Sequence, residues 1–325
     1  MKSGFVSPVY LHNLLQQGGG KHPIVLEVSW NERASKYDKG HIPGAIYVNT
    51  DEVEYDLFKA RVSTNAKDLR RSTTEVQDLA KGLTKEDTLP QNWWNIYPDR
   101  YLLPALAHIG VDVNSSVVVY GDDPNAASRL AWVMLYAGVR KVQVLDGGLQ
   151  AWKRAGFEVS IVPVVRKSVK CFGTEKPRRS EYRVDLPGVR AEIGFNRADF
   201  VLADIRTKGE YAGRTTPYDY INTKGRIKGA HWGRAGTCRT TMESYLNENG
   251  TFKKMEEVET MWFKSGITRD KRVVFYCGTS WRSSLAFFFA YVMGWERISN
   301  FDGGWYDWSL GPEAAKNPCD FGDER

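Results

Sequence analysis

Long apolar runs are scarce in this chain of 325 residues. No stretch approaches the roughly 20 apolar residues that a membrane-spanning helix needs, so no membrane partner or integral membrane protein is expected. Residues 1–10 also lack the apolar centre of a secretory signal peptide. These absences predict a soluble globular protein in the cytoplasm, with the periplasm as the alternative if a leader has been removed.

Cysteine is equally scarce, with one residue each at positions 171, 238, 277 and 319. The four form no Cys-x-x-Cys pair and no Cys/His cluster with the spacing of a zinc site. A disulfide scaffold would need a higher density of cysteine. The sequence therefore predicts no metal and no cofactor, and it leaves Cys171, Cys238 and Cys319 as bystanders.

Basic residues are in modest excess, giving a net charge of +6. They are scattered, apart from a short cluster at residues 176–179 that suits a solvated linker. Nucleic-acid binding would require a basic stripe with aromatic partners, which is absent, so no nucleic-acid partner is expected. A mild positive bias suits small anionic substrates. The oligomeric state is not indicated.

The chain contains two related halves. Four segments of the first half recur in the second: 24–29 with 200–205, 40–45 with 225–230, 117–121 with 273–277, and 146–152 with 302–308. In each half apolar strand patterns alternate with helical ones, which implies a parallel sheet flanked by helices. We therefore predict an α/β protein with two such domains, at residues 1–163 and 191–325, joined by a linker at 164–190. Residues 59–104 are an irregular insertion, and the tryptophan-rich cluster at 92–97 is expected to pack at the domain interface.

Cys277 differs from the other cysteines in its surroundings. It ends the apolar run 273–276, typical of a buried strand, and precedes a strongly apolar helical segment at 283–293. The amides of a short strand-to-helix loop can form an anion-binding nest, and the helix N-terminus and Arg282 add positive charge. These three effects favour thiolate over thiol and predict a sulfur nucleophile. The alternative is an inert buried cysteine.

The repeat places Gly121 where the second half has Cys277. The first-half loop at 121–126 has no nucleophile, two acidic residues, and Pro124, which lacks an amide donor. We therefore expect the first half to be catalytically silent and the second half to carry the chemistry.

In the order and spacing of these motifs the chain resembles the tandem-domain rhodaneses, a family of sulfurtransferases. The resemblance covers nearly the whole chain and implies two rhodanese-like domains. It implies thiosulfate as the donor, a persulfide on Cys277, and transfer of sulfur to cyanide or a thiol. The site implied is Cys277 as nucleophile, with a substrate-binding and persulfide cradle of Gly278, Thr279, Ser280, Trp281 and Arg282.

One position departs from that family. Glu210 stands where these enzymes commonly carry an arginine, and we interpret it as part of a structural ion pair. Asp204 and Arg206 are likewise interpreted as structural residues that close a strand end. Thr279 and Ser280 hydroxyls are expected to reach donor oxygens.

Three alternatives remain open. One is 3-mercaptopyruvate as the donor, since the loop partly matches the Cys-Gly-Ser-Gly pattern of those enzymes. A second is a non-catalytic binding module. A third is a phosphatase or arsenate reductase, although only four residues separate Cys277 from Arg282, which makes a small ring for phosphate.

Overall fold

A computed structural model of the protein describes residues 4–17, 22–54, 94–195, 197–311 and 313–322. The elements described in the first half are β1 (Phe5–Val6), α1 (Pro8–Gln16), β2 (Ile24–Ser29), β3 (Ile46–Asn49), α2 (Asp99–Ile109), β4 (Ser116–Tyr120), α3 (Pro124–Ala137), β5 (Lys141–Leu145) and α4 (Gly148–Arg154). Short 3-10 helices lie at Tyr37–Lys39 and Thr50–Glu52.

The second half repeats this order with additions. Its elements are β6 (Arg183–Val184), α5 (Leu186–Phe195), β7 (Phe200–Asp204), α6 (Lys208–Tyr211), β8 (Arg226–Ile227), β9 (His231–Trp232), α7 (Met255–Phe263), β10 (Arg272–Tyr276), α8 (Trp281–Val292), β11 (Ile298–Phe301), α9 (Gly304–Leu310) and β12 (Cys319–Asp320). Two more 3-10 helices lie at Ser180–Tyr182 and Ala314–Lys316. The short strands β8 and β12 form a separate antiparallel pair.

Each half is built around one five-stranded parallel sheet. The strand order is β1-β5-β4-β2-β3 in the first half and β6-β11-β10-β7-β9 in the second, so the two topologies are identical. The central strands β4 and β10 are valine-rich and buried, as expected for strands covered by helices on both faces. The predicted α/β class with two parallel sheets is confirmed.

The strand registers refine the internal repeat. Tyr120 pairs with Glu27 in the first sheet, and Tyr276 pairs with Asp204 in the second. Glu27 is therefore the counterpart of Asp204, one residue away from the match drawn between segments 24–29 and 200–205. In both halves the tyrosine hydroxyl donates to that carboxylate, at 2.5 Å for Tyr120 and 2.7 Å for Tyr276.

The two halves share one hydrophobic core. Helix α3 packs against α8 across the domain interface, and both contribute to a cluster of buried side chains that runs through the whole molecule. Residues 285–290 of α8 are fully buried. A helix buried on all its faces is apolar all round, which explains the uninterrupted apolar pattern of this segment.

Two predicted segments differ in detail. The last residues of the predicted linker belong to the second sheet, because β6 pairs with β11 and α5 begins at Leu186. Residues 59–93 of the predicted insertion, which include residues 92 and 93 of the tryptophan-rich cluster, lie outside the described residues. Trp94 is described, and its ring centroid lies 5.8 Å from that of Tyr220 in the second half, at the expected interface. Within the described ranges, no helix combines the length and the apolar character needed to span a bilayer.

Candidate active site

Cys277 lies where the structure turns from β10 into α8. Its side chain is buried, with 2% exposure. We call residues 277–282 the Cys277 loop. The loop follows the C-terminal end of β10, the central strand of its sheet. It therefore lies at the carboxyl edge of the sheet, the usual position of binding sites in parallel sheets.

The backbone of the Cys277 loop offers unsatisfied donors. Ser280 adopts the left-handed conformation, with φ of +67°, and immediately precedes the first turn of α8. Across the part of the chain that the structure describes, no acceptor is recorded for the amides of residues 278–282. A left-handed residue next to right-handed ones turns successive amide N–H groups toward one point, which forms an anion-binding nest. The N-terminus of the 12-residue helix α8 adds a partial positive charge at the same point. The loop is therefore suited to hold an anion.

The two hydroxyls of the loop have different surroundings. The Ser280 hydroxyl donates to the carbonyl oxygen of Phe301, so it braces the loop against β11 and is not directed at a substrate. The Thr279 hydroxyl hydrogen-bonds with that of Tyr220. Thr279 is 8% exposed, while Ser280 is fully buried. Of the two, only Thr279 keeps the position expected for a residue that reaches donor oxygens.

Arg282 is held by an ion pair. Its guanidinium donates two parallel hydrogen bonds to Glu210, at 2.9 and 3.0 Å, and a third to the hydroxyl of Tyr218. Burial alone would raise the pKa of Glu210, but the charge and hydrogen bonds of Arg282 lower it to about 2. The predicted structural ion pair of Glu210 is confirmed, and its partner is Arg282. The positive charge that the sequence offered to an anionic substrate is thus largely neutralised.

Aromatic side chains surround this end of the loop. The rings of Tyr218 and Tyr220 lie 5.3 Å apart, and Tyr220 also approaches Trp94 and Tyr306. A Cβ atom placed on Gly278 would overlap the hydroxyl of Tyr218, so only glycine fits there. Burial raises the pKa of Tyr220 to about 12, so its hydroxyl stays protonated at neutral pH.

The Asp-Gly-Gly turn at residues 302–304, which follows β11, places two backbone amides against the carbonyl oxygens of the Cys277 loop. The amide of Trp305 donates to the carbonyl oxygen of Cys277 at 2.8 Å, and that of Tyr306 donates to the carbonyl of Gly278 at 3.0 Å. Gly304 has a φ of +56°, and a Cβ on it would lie 2.6 Å from the Cys277 carbonyl oxygen. The turn therefore needs glycine for both conformation and close approach.

The first half also reaches the Cys277 loop. Trp281 donates its indole N–H to Glu54 at 3.1 Å, and Glu54 in turn accepts a bond of 3.0 Å from Arg129 in α3. Burial raises the pKa of Glu54, while the charge and the hydrogen bond of Arg129 oppose that rise. Trp281 is half-buried, so it contributes to the interface rather than standing free at the surface.

The corresponding loop of the first half has a different construction. Asp123 caps α3 by accepting from the amide of Asn125 at 2.8 Å, which fills with a carboxylate the place where an anion would bind. A Cβ on Gly121 would overlap the carbonyl oxygen of Val28. The first-half loop thus lacks both a nucleophile and the room for one.

Asp204 and Arg206 have the structural role predicted for them. Arg206 donates two hydrogen bonds to Asp204, at 2.8 and 2.6 Å, and a third of 2.9 Å to the carbonyl of Gly225. Among the described residues, no group of three or more His, Cys, Asp or Glu side chains could hold a metal ion.

Sequence reasoning missed several residues of the site: Tyr218, Tyr220, Glu54 and Arg129. All four lie far from Cys277 along the chain, and only tertiary packing brings them to the loop. The tyrosine pair was the one visible signal, because two aromatics one residue apart follow a glycine- and threonine-rich segment.

Comparison with known proteins gives a consistent set of relatives. The model of the rhodanese-like domain matches residues 7–155 and 190–310. The chain is 36% identical over 327 aligned residues to thiosulfate sulfurtransferase YnjE of Escherichia coli (strain K12), covering 98% of this chain and 65% of that protein. It therefore spans less than two thirds of the length of that relative. It is 28% identical to the sulfur carrier protein TtuD of Thermus thermophilus, with 87% of each chain covered.

Solved structures agree with these relatives. The complex of EanB with ergothioneine superposes with a TM-score of 0.80 at 32% identity, covering 99% of this chain and 70% of that one. A further EanB structure, at 33% identity and the same TM-score, contains hercynine. The crystal structure of YnjE superposes with a TM-score of 0.79 at 35% identity, covering 98% of this chain and 68% of that one.

Proposed function

Because the chain belongs to the rhodanese-like family, we propose that it is a sulfurtransferase that carries sulfur as a persulfide on Cys277. The observation that supports this most directly is a row of backbone amides at residues 278–282, beside a buried cysteine, that have no hydrogen-bond acceptor among the described residues. Such a row stabilises a sulfur anion in the way that an oxyanion hole stabilises oxygen.

The reaction has two steps. The thiolate of Cys277 attacks the outer sulfur of thiosulfate, a new S–S bond forms, and sulfite leaves with the electron pair of the broken bond. The terminal sulfur of the persulfide then carries the negative charge, next to the amides of the loop. A thiol or cyanide attacks that sulfur in the second step and the Cys277 thiolate is restored.

Thiosulfate is the leading donor, and 3-mercaptopyruvate is the alternative. The relatives named as thiosulfate sulfurtransferases support the first. The pairing of Arg282 with Glu210 removes one positive charge that a dianionic donor would seek. A further cation on this side is Arg239, whose guanidinium carbon lies 6.0 Å from the ring centroid of Tyr218 and which pairs with the exposed Asp219 at 3.6 Å. We therefore assign the electrostatic attraction of the donor to Arg239 and to the loop amides.

A second candidate acceptor follows from the aromatic side chains beside the loop. EanB, a structural relative, has been solved with hercynine, a betaine that carries an imidazole ring. Tyr218 and Tyr220 are partly exposed aromatic side chains, and such rings can bind a quaternary ammonium group. The Tyr218 oxygen accepts from Arg282, which leaves its own proton to donate to a substrate. We propose as the alternative second step that the outer sulfur of the persulfide bonds to a ring carbon of such a heterocycle, that this carbon loses its proton, and that Cys277 leaves as the thiolate.

The test is thiocyanate formation from cyanide, with thiosulfate and 3-mercaptopyruvate as parallel donors. A third reaction replaces cyanide with hercynine and measures the sulfur-bearing product by mass spectrometry. Cys277→Ser is compared with Cys171→Ser, which changes an exposed cysteine of the same chain. We expect turnover with thiosulfate that disappears in Cys277→Ser and persists in Cys171→Ser.

Other results would change the assignment. Faster turnover with 3-mercaptopyruvate would name that donor, and product from hercynine alone would name the heterocycle as acceptor. A folded protein that is inactive with every donor and acceptor, and that shows no added mass of one sulfur on Cys277, would refute sulfur transfer and favour a binding module.

A further inference from the structure

The first half contributes an arginine that is in contact with two supports of the Cys277 loop. Arg129 lies in α3 and is fully buried. Its Nε donates to Glu54 at 3.0 Å, and one terminal nitrogen donates to Asp302 at 2.8 Å. The same nitrogen donates to the carbonyl oxygen of Trp94 at 2.7 Å. A single guanidinium thus ties together three segments at the domain interface.

Each carboxylate held by Arg129 leads to the loop by its own route. Glu54 uses its second oxygen to accept the indole N–H of Trp281, inside the loop. Asp302 begins the turn whose amides, from Trp305 and Tyr306, hold the carbonyl oxygens of the loop. The Cys277 loop is therefore held by two sets of hydrogen bonds, one from Glu54 and one from the turn that begins at Asp302. Both acids bind Arg129.

Both acids of this arrangement are paired with arginine. Asp302 also forms an ion pair with Arg183, with 3.1 Å between Nε and the carboxylate oxygen, so two arginines face Glu54 and Asp302, with no more than 1% exposure of either acid. Both oxygens of each acid accept a hydrogen bond, and the second oxygen of Asp302 accepts it from the amide of Ile96 at 3.1 Å. Removing one partner would leave a buried charge without its counterpart, which is costly.

The arrangement serves only the second half. By the repeat, the position of Arg129 in the second half is Leu285, which carries no charge. The position of Trp281 in the first half is Asn125, which donates to the carbonyl oxygen of Thr240 and not to a carboxylate. The half without a nucleophile therefore contributes buried charges that reach the loop of the half that has one.

We propose that Arg129 and Glu54 of the first half are positioning residues of the active site, which fix the Cys277 loop through Trp281 and the Asp302 turn. The first half then does more than scaffold the second, because it sets the geometry of the amides beside the nucleophile. The inference that this affects turnover rests on the proposed sulfur transfer, whereas its effect on the reactivity of Cys277 does not.

The experiment measures the alkylation rate of Cys277 by iodoacetamide, with peptide mass spectrometry to separate the four cysteines, alongside thiocyanate formation. The main variant is Trp281→Phe, which removes one hydrogen bond to Glu54 and keeps an aromatic ring. Loss of one buried hydrogen bond corresponds to up to about a tenfold change, so we expect both rates to fall by up to about tenfold. The melting temperature should fall by only a few degrees.

Two comparisons separate positioning from general destabilisation. Trp152→Phe removes an equivalent indole bond, of 2.8 Å to the carbonyl of Glu158, and should leave both rates unchanged. The double variant combines Glu54→Gln with Trp281→Phe. Because both substitutions alter the same hydrogen bond, the alkylation and thiocyanate rates of the double variant should be no lower than those of the slower single variant.

The proposal is overturned if Trp281→Phe leaves the alkylation of Cys277 unchanged, or if the two substitutions slow it independently. An enzyme without sulfur transfer in any assay would refute the proposed function, but alkylation would still decide between these outcomes. Should Glu54→Gln fail to fold, the comparison of Trp281→Phe with Trp152→Phe decides alone.

Discussion

The ion pair between Glu210 and Arg282 makes a measurable contribution to stability, and Glu210→Gln removes it. Glu210 is 1% exposed and Arg282 is 2% exposed. Burial opposes ionisation of Glu210, yet Arg282 lowers its pKa from 4.5 to about 2 in the folded protein. That difference corresponds to about 3 kcal/mol of folding free energy.

The sign of the pH dependence follows from the direction of the shift. Above pH 4.5 the carboxylate is ionised in both the folded and the unfolded chain, so the whole contribution is present. As the pH falls, the unfolded chain binds the proton first and the contribution declines until the folded carboxyl is protonated near pH 2. Roughly half of the contribution is lost by pH 3.

Thermal unfolding at pH 7 and at pH 3 measures this contribution. At pH 7 we expect Glu210→Gln to lower the melting temperature by about 6–12 °C, since each 1 kcal/mol is worth about 2–4 °C in a chain of this size. The decrease should be clearly smaller at pH 3. Glu313→Gln is the matched control, because Glu313 is 56% exposed and pairs with Lys316 at the surface, where ion pairs contribute little.

Two outcomes would refute this reasoning. One is a melting temperature of Glu210→Gln at pH 7 within about 2 °C of the wild type, which would mean a contribution below 1 kcal/mol. The other is a decrease of equal size at both pH values, which would attribute the effect to packing and not to charge.

Three further predictions concern single positions. Gly121→Cys should give no second active site, measured as sulfur loading per chain by mass spectrometry, because the new side chain overlaps a neighbouring carbonyl oxygen; two sulfurs per chain would contradict this. Gly304→Ala should abolish thiocyanate formation by displacing the backbone of Cys277, whereas Gly294→Ala, also at positive φ but with open space around it, should only cost roughly 1 kcal/mol in stability. Hydrogen bonds from a neighbouring threonine lower the pKa of the exposed Cys238 to about 7, so its alkylation rate should be half-maximal near pH 7, and a midpoint above pH 8.5 would exclude that effect.

The fold was predictable because its signals are local. The valine-rich strands β4 and β10 and the glycine turns recur at fixed spacing in both halves, and such repetition specifies a duplicated parallel sheet. The edge strands were not predictable. β1 and β6 contain two residues each, too few for a periodic pattern, so β6 was hidden inside the predicted linker.

The position of Cys277 between a buried strand and a helix was predictable, and most of its surroundings were not. Cys277 and its loop are contiguous, so the strand, the thiol and the helix start appear together in the sequence. Glu210 was interpreted as half of an ion pair, but its partner depends on how α6 docks beside α8. Tyr218 and Glu54 reach the loop from separate segments, and no local pattern marks such contacts.

The burial of α8 has a consequence for synthesis of the chain on the ribosome. The apolar faces of α8 that pack on α3 can be covered only after α3 has formed, and α3 is translated first. The surface that α8 packs on is therefore already synthesised when the helix after Cys277 emerges. Because the Cys277 loop also contacts Glu54 of the first half and the turn that follows β11, its contacts are complete only after segments from both halves have been synthesised.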